Sequence, residues 1–245
     1  MNANKKSFKF TGHKGAVNDI AISPGGSHIA SASNDETVRI WTNTPYIFIY
    51  LFNSNGSFAV IKPHSALVKT IEYSHDGKIL LTGSSDKNLK ITHVINRKLM
   101  ATLSSHFNTI NSARFSNDSS YIVSGGDDKT VKIWNVGCQK LIHTFNESKG
   151  KINSVKFHPE GNCVAAGTSN RFIKLWDIRS KSLIQLYNVH SESVSGVSFH
   201  TNGIHMVSSS YDSTLKISDL RTNKVLYTLY GHEVRNKYLI LLIIY

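Results

Sequence analysis

The sequence predicts an all-β chain made of one repeated unit of four short antiparallel strands, and three ladders of residues carry that prediction. Histidines stand at His13, His64, His106, His190 and His232, with Ser148 where another is expected, so the step is 42 residues after a first interval of 51. A second ladder, Asp35, Asp86, Asp128, Asn170 and Asp212, follows the first by 22 residues in every unit. A third, Trp41, Thr92, Trp134, Trp176 and Ser218, follows the second by 6. Three series held in fixed phase mark a structural repeat.

Within a unit the strands are legible in order. From Ile152, "INSVKF" alternates apolar and polar residues, "HPEGN" is a turn, and "CVAAGTS" is a second strand. "NRF" turns the chain again, "IKLW" is a third strand, and "SLIQLY" (Ser182 to Tyr187) is a fourth that leads to His190. Four short strands per period, with Gly-His and Trp-Asp signatures, resemble the blade of a WD40 β-propeller. The best preserved copies read "FTGH" with "NDETVRIW", "GGDDKTVKIW" and "NRFIKLWD". The repeats are expected over residues 1–232, in units starting near His13, His64, His106, Ser148 and His190, with a partial unit at His232 and an apolar non-repeat tail over 233–245.

Bulk composition agrees with this reading. The chain has 245 residues and is 40% hydrophobic, enough for a core and unlike a disordered sequence. Residues 1–10 are polar and basic, with no apolar stretch of the kind a secretory signal needs. Two cysteines, Cys138 and Cys163, make no disulfide framework and suit a reducing, cytoplasmic compartment. The formal charge of +12 suits an acidic partner without naming one.

A histidine, a serine and an aspartate recurring together invite a nucleophilic triad. The repeat argues against it, because a catalytic group is needed once and this set occurs in four of five units. WD40 blades bury a hydrogen-bonded chain of His, strand Ser or Thr, turn Asp and Trp indole. Carried over, that chain is His13, Ser31, Asp35 and Trp41 in the first unit, and His64, Thr82 and Asp86 in the second. It is His106, Ser124, Asp128 and Trp134 in the third, and His190, Ser208 and Asp212 in the fifth. The fourth unit has Ser148, Ala166 and Asn170 in these places and keeps Trp176, as if the network were lost as a unit. The role is structural, since a buried polar group without a partner costs about 1–3 kcal/mol. No residue set has metal-ligand spacing, and no glycine-rich phosphate loop opens a helix, so no catalytic residue, metal or cofactor is expected.

Two residues before the Trp position stand Arg39, Lys90, Lys132, Lys174 and Lys216, basic in every unit. Strand alternation places Val38 and Ile40 inward and Arg39 outward, so these five are expected to ring one zone of the surface. Two readings stand: a solvated strand face, or an electrostatic seat for an acidic partner such as an acidic tail of tubulin.

The pattern breaks in three places. Ser7 to Phe10 reads as the outer strand of a blade whose inner strands are not in the sequence. After His232 too little chain remains for another blade, so five nearly complete blades of an unclosed seven-bladed propeller are expected. The apolar stretches Tyr46 to Phe52 and "YLILLII" near the end do not alternate, and the latter is too short to span a bilayer. Both read as translated non-coding sequence or a gene-model error; the alternative is a genuine long loop for the first and a membrane or partner contact for the second.

Beyond the generic repeat, three segments resemble the centriolar WD40 family known as protein of centriole 1. They are "FTGHKGAVNDIAISPGGSHIASASNDETVRIW", "SSYIVSGGDDKTVKIWN" and "VSGVSFHTNGIHMVSSSYDSTLKISDLRTNKVLYTLYGH". In the last, "DSTLKI-D" followed by "LYTLYGH" is not demanded by a propeller. The resemblance covers residues 8 to 232 and lacks the family's C-terminal coiled coil. It implies a non-enzymatic scaffold of centrioles and basal bodies, in the cytoplasm and cytoskeleton, that supports centriole stability and cilium assembly. Its partners would be centriolar proteins and the tubulin of the microtubule wall, with no small-molecule substrate, nucleic acid or membrane span. The alternative is a generic WD40 adaptor, such as the substrate receptor of a ubiquitin ligase or a subunit of an RNA-processing complex.

Overall fold

The computed structural model describes residues 9–42, 59–146 and 149–230. The positions Ser148, His232, Tyr46 to Phe52 and the 233–245 tail lie outside the described residues, as does most of the proposed orphan strand. Of that strand Lys9 and Phe10 are described and take no strand conformation.

Among the described residues, twenty strands form five four-stranded antiparallel sheets, each from consecutive strands. The first contains β1 (Val17–Ile22), β2 (His28–Ser33), β3 (Val38–Thr42) and β4 (Ala59–Ile61). The second contains β5 (Val68–Tyr73), β6 (Ile79–Ser84), β7 (Asn88–His93) and β8 (Leu99–Ser104). The third contains β9 (Ile110–Phe115), β10 (Tyr121–Gly126), β11 (Val131–Asn135) and β12 (Lys140–Phe145). The fourth contains β13 (Ile152–Phe157), β14 (Cys163–Thr168), β15 (Ile173–Asp177) and β16 (Leu183–Tyr187). The fifth contains β17 (Val194–Phe199), β18 (His205–Ser210), β19 (Thr214–Asp219) and β20 (Lys224–Tyr230).

These are blades stacked face to face, and the propeller is unclosed. Each blade lays one face on the opposite face of the next. Ala30, Ala32, Val38, Ile40 and Ala59 of the first pack on Val68, Ile71, Tyr73 and Leu80 of the second. Val123, Val131, Ile133 and Phe145 of the third pack on Ile152, Val155, Phe157, Val164 and Trp176 of the fourth. The residues taper along the interface because blades radiating from an axis are closest at their inner strands. There Gly125 has no room for a side chain: a Cβ would lie 2.3 Å from Ile152 Cγ2. Phe145 fills the wider outer end.

Polar staples cross the same seams. Asn18 Nδ2 donates to Val68 O at 2.7 Å, Asn111 Nδ2 to Ile152 O at 2.9 Å, and Asn153 Nδ2 to Val194 O at 2.7 Å. The first blade has one face with no described blade before it. On that face Val17, Ile20 and Ile22 are 43%, 49% and 59% exposed, whereas Val68, Ile71 and Tyr73, their counterparts in the second blade, are buried.

Candidate functional site

In four blades the loop histidine closes onto the turn aspartate and the strand hydroxyl. His106 Nδ1 lies 2.7 Å from Asp128 Oδ2 and His106 Nε2 lies 2.7 Å from Ser124 Oγ, which also accepts the Trp134 indole N–H at 2.8 Å. The first blade repeats this with His13, Asp35, Ser31 and Trp41 at 2.7–2.9 Å. His64 joins Asp86 and Thr82, both at 2.8 Å, with Thr92 in place of the indole. His190 joins Asp212 at 2.9 Å and Ser208 at 2.8 Å.

In the two blades that keep the tryptophan the serine oxygen accepts the indole N–H, so indole, hydroxyl, imidazole and carboxylate form one connected chain. Burial pushes the His64 and His190 pKa values down, against the pull of Asp86 and Asp212. Burial works to raise the aspartates, and hydrogen bonds overcome it. Those from His106, Phe107 N–H and Thr130 hold Asp128 at about 2, and those from Thr214, His190 and Ser191 N–H hold Asp212 at about 2. An imidazole hydrogen-bonded on both nitrogens has no free lone pair for a substrate, and its hydroxyl partner is buried. The arrangement holds loops to strands.

The fourth blade departs from the expected clean loss of the network. Ala166 supplies no hydroxyl, and Trp176 Nε1 finds no acceptor among the described residues. Thr168 donates instead to Asn170 and to Phe172 O. The indole was retained for packing: it is fully buried and stacks on Phe145 of the third blade at 5.4 Å.

The basic ladder is corrected by the structure. Lys132 and Lys174 are only 3% and 7% exposed, and Arg39, Lys90 and Lys216 are partly buried. Arg39 does face away from Val38 and Ile40, but in the second to fifth blades the corresponding face is covered by the preceding blade, and in the first Arg39 lies against Gly12 and 5.9 Å from the Trp41 ring. Arg39 pairs across the sheet with Ser31, and Lys132 with Ser124, so these side chains run along the seam on the network's own face. Their ends tie down local structure: Lys90 Nζ donates to Pro63 O and Lys216 Nζ to Val189 O, each just before the loop histidine. Lys132 Nζ donates to Thr144 Oγ1 at 3.2 Å, and Lys174 Nζ lies 5.9 Å from the Trp176 ring.

One charged cluster does not follow the repeat and escaped sequence reasoning. Asp19 of β1, Glu72 of β5, Arg114 of β9 and Lys156 of β13 meet on the inner strands. Arg114 Nη1 and Nη2 both lie 3.0 Å from Asp19 Oδ2, Arg114 Nε lies 4.0 Å from Glu72 Oε1, and Lys156 Nζ lies 3.3 Å from Glu72 Oε1. Four blades contribute to one chain of alternating charge. Only the one-residue identity of each inner strand signals it, and the partners are far apart in sequence.

Among the described residues no group of His, Cys, Asp or Glu is placed to hold a metal ion, and no helix is long and apolar enough to cross a membrane.

The family model for the WD domain, G-beta repeat, matches residues 4–42, 55–92, 97–135, 139–177 and 181–219. The chain belongs to the WD40 repeat family. Each matched WD40 segment runs up to the Trp position or just beyond it, in phase with the three ladders. The WD40 chain is 38% identical over 81 residues to the small ribosomal subunit protein RACK1 of Dictyostelium discoideum, covering 33% of this chain and 24% of that one. It is 33% identical over 96 residues to the COMPASS component SWD3 of Saccharomyces cerevisiae, covering 39% and 27%. It is 34% identical over 82 residues to the serine-threonine kinase receptor-associated protein of Dictyostelium discoideum, covering 34% and 25%. The chain therefore spans about a quarter of the length of each of these relatives. WD40 repeats serve in general as non-catalytic scaffolds that bind other proteins, and the site geometry agrees with that use.

Proposed function

We propose that this WD40 chain is a structural scaffold of centrioles or basal bodies, held in the cytoskeleton by centriolar proteins or the microtubule wall, where it supports centriole stability and cilium assembly. The observation that carries the reading is the wording of the fifth blade. "DSTLKISD" and "LYTLYGH" span β19 and β20, and on β20 Tyr227 and Tyr230 are 63% and 80% exposed. Packing does not dictate those tyrosines, so their likeness to the centriolar family is a likeness of sequence rather than of fold. The test is to tag the endogenous protein in ciliated cells and stain for a basal-body marker. Steady signal at the marker is expected; a stable protein spread through the cytoplasm or nucleus overturns the reading.

A second reading, a generic adaptor, draws on the relatives. One is named as a ribosomal subunit protein, one as a COMPASS component and one as receptor-associated, so the same repeat serves unlike assemblies. Co-purification separates the two: tubulin and centriolar proteins favour the first, cullin or spliceosomal subunits the second.

A further inference from the structure

With the Arg39–Lys216 ladder locked into the seams, the free positive charge of one end of the propeller lies elsewhere, in the tight turns that follow each network aspartate. The residue after the aspartate, or after Asn170 in the fourth blade, is Glu36, Lys87, Lys129, Arg171 and Ser213 in the five blades. All five take a left-handed backbone, with φ of 67°, 71°, 62°, 69° and 63°. Glycine adopts that conformation freely and other residues pay a steric cost. Three consecutive blades nonetheless carry a long basic side chain there, and Lys87, Lys129 and Arg171 are all exposed.

Charges around this arc add to it. Asp86 and Asp128, directly before Lys87 and Lys129, are taken up by His64 and His106, and Asn170 leaves no carboxylate before Arg171. Lys149 is exposed in the loop beside Asn170–Arg171, and Lys151 is paired with Asp127 at 3.0 Å. Among the described residues no carboxylate forms an ion pair with Lys87, Lys129 or Lys149. The turn acid Glu36 and the loop acid Glu192 sit in the first and fifth blades, and Glu36 is paired with Lys62 at 2.8 Å. Phe107, in the loop between Lys129's blade and the one before it, is 79% exposed while its N–H is anchored on Asp128. At the fourth-to-fifth seam Arg171, Lys216 and Tyr230 help line an open cleft of about 510 Å³.

We propose that the turns of the second, third and fourth blades form a binding face for an acidic peptide segment, with Lys87, Lys129 and Arg171 meeting carboxylates and Phe107 meeting an apolar side chain among them. Spaced point charges on rigid turns suit an extended chain carrying several carboxylates. Two exposed rings at separate seams, Phe107 and Tyr230, give no continuous stack for successive bases, which disfavours single-stranded nucleic acid. The proposal rests on the scaffold reading and supplies the chemistry of one partner.

The test uses the full chain and a fluorescently labelled peptide of glutamates interrupted by leucine. Lys87→Gly, Lys129→Gly and Arg171→Gly are combined; because glycine suits these turns, this variant is expected to melt no lower than the wild type. Binding should weaken about tenfold or more and lose most of its salt dependence. A control removes the same charge from the opposite end, through Lys98→Ser, Lys140→Ser and Lys224→Ser, and should bind almost as the wild type does. Phe107→Ala should weaken binding to the leucine-containing peptide more than to pure oligoglutamate. Equal loss in the control, no binding by the wild type, or displacement of the peptide by a lower concentration of poly-uridine would each overturn the proposal. Peptide binding is measured in solution, so its failure is separable from a failure of the centriolar localisation.

Discussion

Arg114 of the third blade reaches past the second to Asp19 of the first, Nη2 to Oδ2 at 3.0 Å, with both side chains mostly sheltered from water. Asp19 Oδ2 also accepts from the Ile71 N–H at 3.0 Å and the Thr70 hydroxyl at 3.1 Å. One carboxylate thus joins three successive blades and fixes the curve on which they lie. Arg114→Met should cost about 2–4 kcal/mol, because it strands a sheltered carboxylate. Adding Asp19→Asn should restore part of that loss. Urea unfolding of the two single variants and the double gives the coupling, and additive losses would show that the pair does not act together.

Asp128→Ala removes the acceptor for His106, for the Phe107 N–H and for both donors of Thr130. A loss of about 2–3 kcal/mol is expected, or a Tm lower by about 5–10 °C. Asn170→Ala in the fourth blade, where no such network is built, should cost less. Calorimetry of both variants makes the comparison; an unchanged Tm for Asp128→Ala removes the network from the account of stability.

Ala166→Ser should stabilise the chain by up to about 1 kcal/mol. It places a hydroxyl where Ser124 accepts the indole of the third blade, and so gives the Trp176 N–H the acceptor it lacks. Thermal denaturation beside Ala165→Ser, on the opposite face of the same strand and expected to destabilise, checks that position matters and not the hydroxyl alone.

Stability should fall in two stages on acidification. His64 and His190 have lowered pKa values in the fold, so the unfolded chain takes up their protons first. Their contribution is present above the unfolded value of about 6.5 and is lost as the pH drops below it. Asp128 and Asp212 are held at about 2, so their contribution is present above the unfolded value of about 4 and disappears as the pH falls toward 2. Tm measured from pH 8 to about 3 should be level, then decline near pH 6, then steepen. A level Tm down to about pH 5 would mean that the buried imidazoles are not neutral.

Much of the fold was legible because a repeat states its rule several times. The strand expected from "INSVKF" is β13, Ile152–Phe157, and the histidine, hydroxyl and aspartate ladders meet as their phase implied. The outward placement of Lys90, Lys132, Lys174 and Lys216 failed for a physical reason: period-two alternation says which residues share a face, not whether that face meets water. In these blades the preceding blade covers it, while Arg39 is sheltered along Gly12 and Trp41 instead. The Asp19–Arg114 pair was beyond reach because it occurs once, between residues 95 apart. The exposed basic turns were visible as residue types, but their left-handed backbone, and the lack of an ion-pairing carboxylate among the described residues, are matters of conformation.

The bare flank of the first blade, where Val17, Ile20 and Ile22 meet water, has a kinetic meaning. In a stack where each unit leans chiefly on its neighbours, a unit with one uncovered face lacks one of two supports and opens most easily. Amide protons of β1 and β2 should therefore exchange before those of β9 and β10, and unfolding should run inward from this end. The third blade, which carries Phe107, Lys129 and the arginine that reaches back to Asp19, would be among the last to let go.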